Sequence, residues 1–225
     1  MSTVINAKQT DKVYTVGFVP QFETRKLFNI WHPILEFLEN KTGYKFKLSG
    51  APSIPAFEQE FIKGKFDFAY MNPYHLIIAN EKAGYIPLVR DHGRMLYGVL
   101  VVKKDSDIID PAQLNGKTLA FPAPNALGGS LQMRQELHDN FGIEFTSNYV
   151  KTHDSVYLNV LLNQASAGGG VQKTLNSQKN EYKEMLRVIY KTKEVAPHPF
   201  AALPEVPVEV RERVREALLE MGQST

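Results

Sequence analysis

Apolar and polar positions along the chain change period in a regular way. "VYTVGFVP" is β-branched and apolar up to Pro20, as a buried strand would be, and it delivers the loop "PQFETR". From Thr24 to Asn40 the apolar positions Leu27, Phe28, Ile30, Trp31, Ile34, Leu35 and Leu38 recur every three or four residues. A helix is predicted there, with Pro33 inside it and "KTG" ending it. "YKFKLSGA" alternates as a strand, "PAFEQEFIKG" reads as a short helix, and "FDFAYMNP" as a strand stopped by Pro73. "YHLIIANEKAG" is helical and "YIPLVRD" extended.

After "YGVLVVKKDSDI" the pattern restarts. "DPAQLNG" predicts a short helix, "KTLAFPAP" a strand, residues 128–141 a helix, "SNYVKT" a strand and "HDSVYLNVLLNQ" a helix. "ASAGGGVQ" and a polar helix follow. "MLRVIYKTKEVAPHPFAALP" then runs extended, ahead of the amphipathic helix "PVEVRERVREALLEM" with Pro207 at its start. Strands this continuously apolar have no wet face, so the fold class is α/β, with mixed sheets covered by helices on both faces. Two similar blocks joined by long extended segments predict two lobes. Residues 1–100 and 191–225 form the first, residues 104–190 the second, and a two-segment hinge falls near 101–104 and 191–196.

Composition removes several classes of function. Lys and Arg number 26 against 24 Asp and Glu, without a block of one sign, so neither nucleic acid nor a polybasic membrane contact is expected. The chain has no Cys, which excludes disulfides, thiolate metal sites and cysteine nucleophiles. His32, His75, His92, His138 and His198 are scattered and form no H-x-x-x-H pair, so no metal and no cofactor is expected. No G-x-S-x-G elbow is present, and "HDS" places its three side chains too close in sequence for a triad, so no enzyme is expected. The N-terminus "MSTVINAKQTDK" is polar where a secretory signal would be apolar. The chain therefore either stays inside the cell, or its signal segment has been replaced by a start Met.

Ligand sites in such folds lie where loops leave the carboxyl ends of the strands. Those loops are read as "PQFE", "YMNPY", "FPAPNALGGS", "THDS" and "AGGGV". "NALGGS" opens a helix, where unpaired amides and the helix dipole favour an anion. It is neither a Walker A loop nor a G-x-G-x-x-G fingerprint, so an anion cradle and a plain tight turn both remain open. In "THDS", Ser155 is expected to cap the helix; His153 facing a ligand and His153 merely exposed beside the cap are equally open. Tyr70 and Tyr97 are the aromatic residues best placed to line a pocket.

Seven stretches, "GFVP", "WHPILEFLENKTGYKF", "GKFDFAYMNPYHLI", "GVLVVKKDS", "LNGKTLAFPAPNALGG", "THDSVYLNVLLNQASAGGGV" and "RVIYKTKEVAPHPFA", together resemble one family in order and over nearly the whole chain. It is the phosphate, phosphite and phosphonate substrate-binding proteins of ABC importers, which have the two-lobed type II periplasmic-binding-protein fold. The resemblance implies an extracytoplasmic monomer that captures a small oxyanion between its lobes for an ABC permease. The alternative is a sensor of the same fold that takes a less charged molecule and reports to a membrane partner. Relatives continue beyond "EALLEM", so a shortened chain is expected.

The ligand set implied is Tyr70, Asn72, Tyr97, Asn125, Ala126, Leu127, Gly128, Gly129, Ser130, His153 and Ser155. The departures are specific. The family's Ser/Thr-rich loop corresponds to Asn125, Ala126, Leu127 and Gly128, its acidic residue falls near Gly170 and Val171, and Ser53 or Ile54 stands where it has a pocket tyrosine.

Overall fold

The computed structural model describes residues 12–223; residues 1–11 and 224–225, placed in the first lobe above, lie outside them. Two five-stranded mixed sheets share one plan. In lobe 1, β1 (Val13–Phe18) pairs in parallel with β2 (Lys45–Ser49) and β3 (Phe68–Tyr70). A late strand, β10 (Pro199–Ala202), inserts antiparallel between β3 and β4 (Ile86–Arg90). In lobe 2, β6 (Thr118–Phe121) pairs in parallel with β7 (Thr146–Tyr149) and β8 (Ala167–Val171). Here β5 (Gly98–Lys103) inserts antiparallel between β8 and β9 (Leu186–Lys191).

Helices cover both faces of each sheet, as the continuous apolar strands require. On lobe 1, α1 (Thr24–Thr42) and α8 (Val208–Gln223) cover one face, with Leu27, Trp31, Val210 and Val214 in a common core with β1. On α1 the buried stripe is Leu27, Trp31, Leu35 and Leu38, whereas Phe28 and Ile30, at its two borders, are exposed. The opposite face carries α2 (Ile54–Ile62) and α3 (Pro73–Ala83) around Phe57, Phe61 and Tyr85. On lobe 2, α4 (Gln132–Phe141) covers one face and α5 (His153–Leu161) the other. Two short helices, α6 (Gln172–Asn176) and α7 (Asn180–Glu184), link β8 to β9.

The chain crosses between sheets twice, at 91–97 and at 192–198. The first crossing precedes the 101–104 expected, because Gly98–Lys103 is a strand of lobe 2, fully buried from Val99 to Val102 and bonded on both edges. A strand so packed cannot be a connector. Residues 98–100 accordingly belong with lobe 2. The two crossings bond to each other, the Leu96 N–H donating to the Val195 carbonyl at 2.9 Å and the Val195 N–H to that of Leu96 at 2.8 Å.

Candidate functional site

The carboxyl ends of β1, β3 and β6 and the N-termini of α3, α4 and α5 converge between the lobes, around a small cavity of about 10 Å3. That is space for about one water. Lobe 1 contributes Val19, Gln21, Ile54 and Asn72; Leu96 and His198 come from the crossings. Lobe 2 supplies Ala126, Leu127, Gly128, Gly129, His153 and Val171.

The loop "NALGGS" is shaped by close packing. Residues Leu127–Leu131 form a π-helical turn ahead of α4, and Gly128, Gly129 and Ser130 are all buried. A Cβ on Gly129 would lie 2.8 Å from His153 Cε1, and one on Gly98 would lie 2.0 Å from the Gly128 carbonyl oxygen. A Cβ on Gly169 would meet the Gly129 carbonyl oxygen at 2.2 Å. Glycine is therefore demanded on both sides of the contact, and "AGGGV" is a buried strand, β8, rather than the loop expected. Its glycines make room for the turn, for Phe121 and for Tyr157. An acid at Gly170 would collide with the Tyr157 ring, since even a Cβ there falls 2.1 Å from its hydroxyl.

The same turn leaves donors free. The Ser130 and Leu131 amides both donate to the Ala126 carbonyl, at 2.8 and 3.1 Å. Among the described residues, the amides of Leu127, Gly128 and Gly129 meet no acceptor. Unpaired amides at the start of a helix are suited to an anion.

His153, the first residue of α5, lines the cavity, and its Nδ1 is buried without a partner among the described residues. Burial holds its pKa down at about 4, so the ring is neutral at pH 7 and offers one donor and one acceptor. The cap of α5 is Thr152 rather than Ser155: its Oγ1 accepts the Ser155 N–H at 3.1 Å, because Thr152 has the extended backbone that an N-cap needs. Ser155 bonds to Thr152 Oγ1 at 2.9 Å and does not line the cavity. His198, which the sequence singled out only as one of several scattered histidines, is brought to the cavity by the Pro-flanked second crossing. Gln21 Nε2 donates to its Nε2 at 3.1 Å. Burial, aided by the positive charge that His75, Lys173 and His153 can carry, depresses the His198 pKa to about 3.

The other expected residues divide by role. Asn72 caps α3, its Oδ1 accepting the His75 N–H at 2.8 Å, and its Nδ2 donates across the cleft to the Asn125 carbonyl at 3.1 Å. The Asn125 side chain donates to Glu58 Oε2 at 3.3 Å, while Glu58 Oε1 accepts from His75 Nε2 at 3.0 Å. Asn125 thus ties the ligand loop to lobe 1 instead of lining the cavity. Ala126 packs with Val19, Ile54 and Phe57 of lobe 1. Ser130 Oγ accepts from Arg134 Nε at 3.3 Å, outside the cavity. Tyr70 stacks on His198 with ring centroids 5.3 Å apart, and burial, helped by Asp91, pushes its pKa up to about 12. Tyr70 and Tyr97 wall a separate, wider chamber that shares only Gln21, Leu96, Val171 and His198 with the inner cavity.

Ile54 occupies the place read as a lost pocket tyrosine, while Ser53 caps α2, accepting the Ala56 N–H at 3.3 Å. Gln21 was legible only as part of the "PQFE" loop.

Two α/β lobes joined by paired crossings, with a small site between them, define a two-lobed solute-binding protein of the type II periplasmic-binding-protein fold. A family model described as "ABC transporter, phosphonate, periplasmic substrate-binding protein" matches residues 16–225. The chain belongs to that family. Among solved structures, PhnD1 from Prochlorococcus marinus in complex with methylphosphonate superposes with TM-score 0.84 at 17% identity, over 92% of this chain and 84% of that one. The binding component of an ABC phosphonate transporter from Pseudomonas aeruginosa gives 0.80 at 19% identity, over 91% and 72%. The periplasmic domain of BvgS from B. pertussis gives 0.61 at 20% identity, over 92% of this chain and 40% of that one.

Proposed function

We propose that the protein captures a small oxyanion, phosphonate-like or phosphate-like, in the interlobe cleft and presents it to an ABC permease outside the cytoplasmic membrane. The carrying observation is the set of unpaired amides at Leu127, Gly128 and Gly129, which lie beside His153 in a cavity whose wall contains no carboxylate. Charge-assisted hydrogen bonds from backbone N–H groups are strong and need no cationic side chain. In this reading the backbone replaces the hydroxyl side chains that the loop lacks.

A tetrahedral oxyanion is larger than the water-sized space of the closed cleft, so capture requires the lobes to part about the crossings at 91–97 and 192–198. Ligand then shifts the equilibrium only by its preference for one form. In this reading a monomer binds and releases its solute without making or breaking a bond.

A second reading is a sensing module that takes a less charged solute. It is favoured by the apolar share of the wall: Val19, Ile54, Leu96, Ala126, Leu127 and Val171. A thermal-shift panel of methylphosphonate, phosphite, phosphate, sulfate and small neutral metabolites separates the two, because a ligand bound only by the native state raises Tm. Stabilisation by the phosphorus oxyanions supports capture; stabilisation by neutral compounds alone refutes it.

A further inference from the structure

The wall of the oxyanion cavity offers hydrogen-bond donors but no fixed charge: no Lys, Arg, Asp or Glu lines it. Lys173 lines the outer chamber instead, and Arg134 of α4 is turned to the Pro124 carbonyl at 2.9 Å and to the Ser130 hydroxyl. An anion entering this space therefore loses water without meeting a counter-charge, and burying a lone charge is costly. Backbone amides lower that cost but carry no net charge.

His153 and His198 are the only side chains of the wall that can change charge, and they are not equivalent. His198 is held by Gln21 Nε2 and stacks on Tyr70, and the positive charge that His75, Lys173 and His153 can carry opposes its protonation. His153 is 2% exposed, its Nδ1 has no partner among the described residues, and its Cε1 lies against Gly129 of the turn that presents the free amides. Desolvation alone keeps it neutral, at a pKa of about 4, and an anion in the same cavity opposes that effect. The acids nearby have other partners: Asp154, next along α5, accepts from Gln178 Nε2, Glu58 pairs with His75, and Asp91 acts on Tyr70.

We infer that the site fills with an oxyanion and a proton together, the proton passing from solvent to His153, so that imidazolium and anion neutralise each other inside the closed cleft. This rests on the oxyanion reading of the cavity. A solute class follows from it. Telling a phosphonate from a sulfonate takes a fixed acceptor, such as a carboxylate, for the acidic proton that a phosphonate can retain and a sulfonate lacks. This wall has no carboxylate and the protein takes up the proton itself, so fully ionised oxyanions, sulfonates and sulfate, are solutes as well as phosphonates.

Calorimetric titration of the full chain with methanesulfonate, which stays ionised throughout, at pH 7, 6 and 5 tests this. Affinity is expected to rise by up to about tenfold per pH unit as the pH falls, because one ring binds a proton only in the complex. Titration at pH 6 in two buffers of different ionisation heat should show about one proton taken up per anion. His153→Gln keeps a hydrogen-bonding side chain that does not titrate, and should make the affinity flat with pH and abolish the proton uptake. Where that variant fails to fold, the ring 15N shifts of the wild-type histidines decide: His153 passes from the neutral to the imidazolium pattern on saturation at pH 6, and a ring that stays neutral overturns the inference. Methylphosphonate binding without methanesulfonate binding at any of these pH values overturns the inference alone, as does methanesulfonate binding that is flat with pH or whose pH dependence survives His153→Gln. Failure of every oxyanion to bind overturns the oxyanion reading with it.

Discussion

Removal of the Asn125 side chain should open the cleft by a calculable amount. Asn125 belongs to the ligand loop of lobe 2, yet its Nδ2 donates to Glu58 Oε2 of lobe 1 at 3.3 Å. A hydrogen bond to a charged acceptor contributes about 1.5–3 kcal/mol when short and buried. This one is long and only partly buried, so about 1 kcal/mol is expected. Asn125→Ala keeps the backbone carbonyl that accepts from Asn72, and it keeps Ala123 and Ala126 packed against lobe 1. The loss is therefore confined to one bond, and 1 kcal/mol changes the open-to-closed ratio by about fivefold. The chain has no Cys, so Glu81→Cys on α3 and Asp139→Cys on α4, both exposed, give one spin label per lobe. Pulsed dipolar spectroscopy should show the long-distance population growing by that factor in Asn125→Ala. An unchanged distance distribution would refute the idea that this bond favours closure.

Three further outcomes follow from the same packing. His153 and His198 are buried neutral, with pKa values near 4 and 3 against about 6.5 in the unfolded chain. The unfolded state then binds more protons below pH 6.5, so stability is complete above that pH. It falls by up to about 1.4 kcal/mol per pH unit for each ring, until pH 4 for His153 and pH 3 for His198. Urea unfolding at pH 7, 6 and 5 reads the slope, and a flat profile would contradict the burial argument. Gly129→Ala puts a methyl group 2.8 Å from His153 Cε1 and should cost about 1–3 kcal/mol of stability together with most oxyanion affinity; wild-type binding by this variant would show that the turn is roomier than described. Thr152→Ala should cost about 1 kcal/mol of stability and Ser155→Ala clearly less, because Thr152 carries the cap of α5. The reverse order by thermal denaturation would restore Ser155 as the cap.

The fold was largely legible because its signals are local. The apolar, β-branched run of β1 marked a buried strand, the three-and-four spacing of Leu27, Trp31, Leu35 and Leu38 marked α1, and the restart after Ile108 marked a second lobe. What misled was a matter of pairing. Whether Gly98–Lys103 is connector or strand depends on β8 and β9, which lie far away in sequence. "AGGGV" looked like a loop because glycine usually weakens strands; here it is needed for the approach of the π-helical turn, a long-range steric fact. At the site, helix-start chemistry drew attention to Leu127, Gly128 and Gly129, and "THDS" to His153, and the structure places all four on the cavity wall. Gln21 and His198 were hidden because their role comes from the second crossing, which returns 177 residues later to bond Gln21. Asn125, Ser130 and Ser155 carried the right polar chemistry but point into the loop latch, α4 and the α5 cap.

The central claim is that backbone amides at the start of α4 hold the oxyanion. Titration of 15N-labelled protein with methylphosphonate, followed by amide NMR, tests it most directly. The account predicts saturable downfield shifts of the Leu127, Gly128 and Gly129 amide protons, with one dissociation constant shared by all three. Saturable binding that leaves those three amides unmoved, or no saturable binding at all, would contradict it.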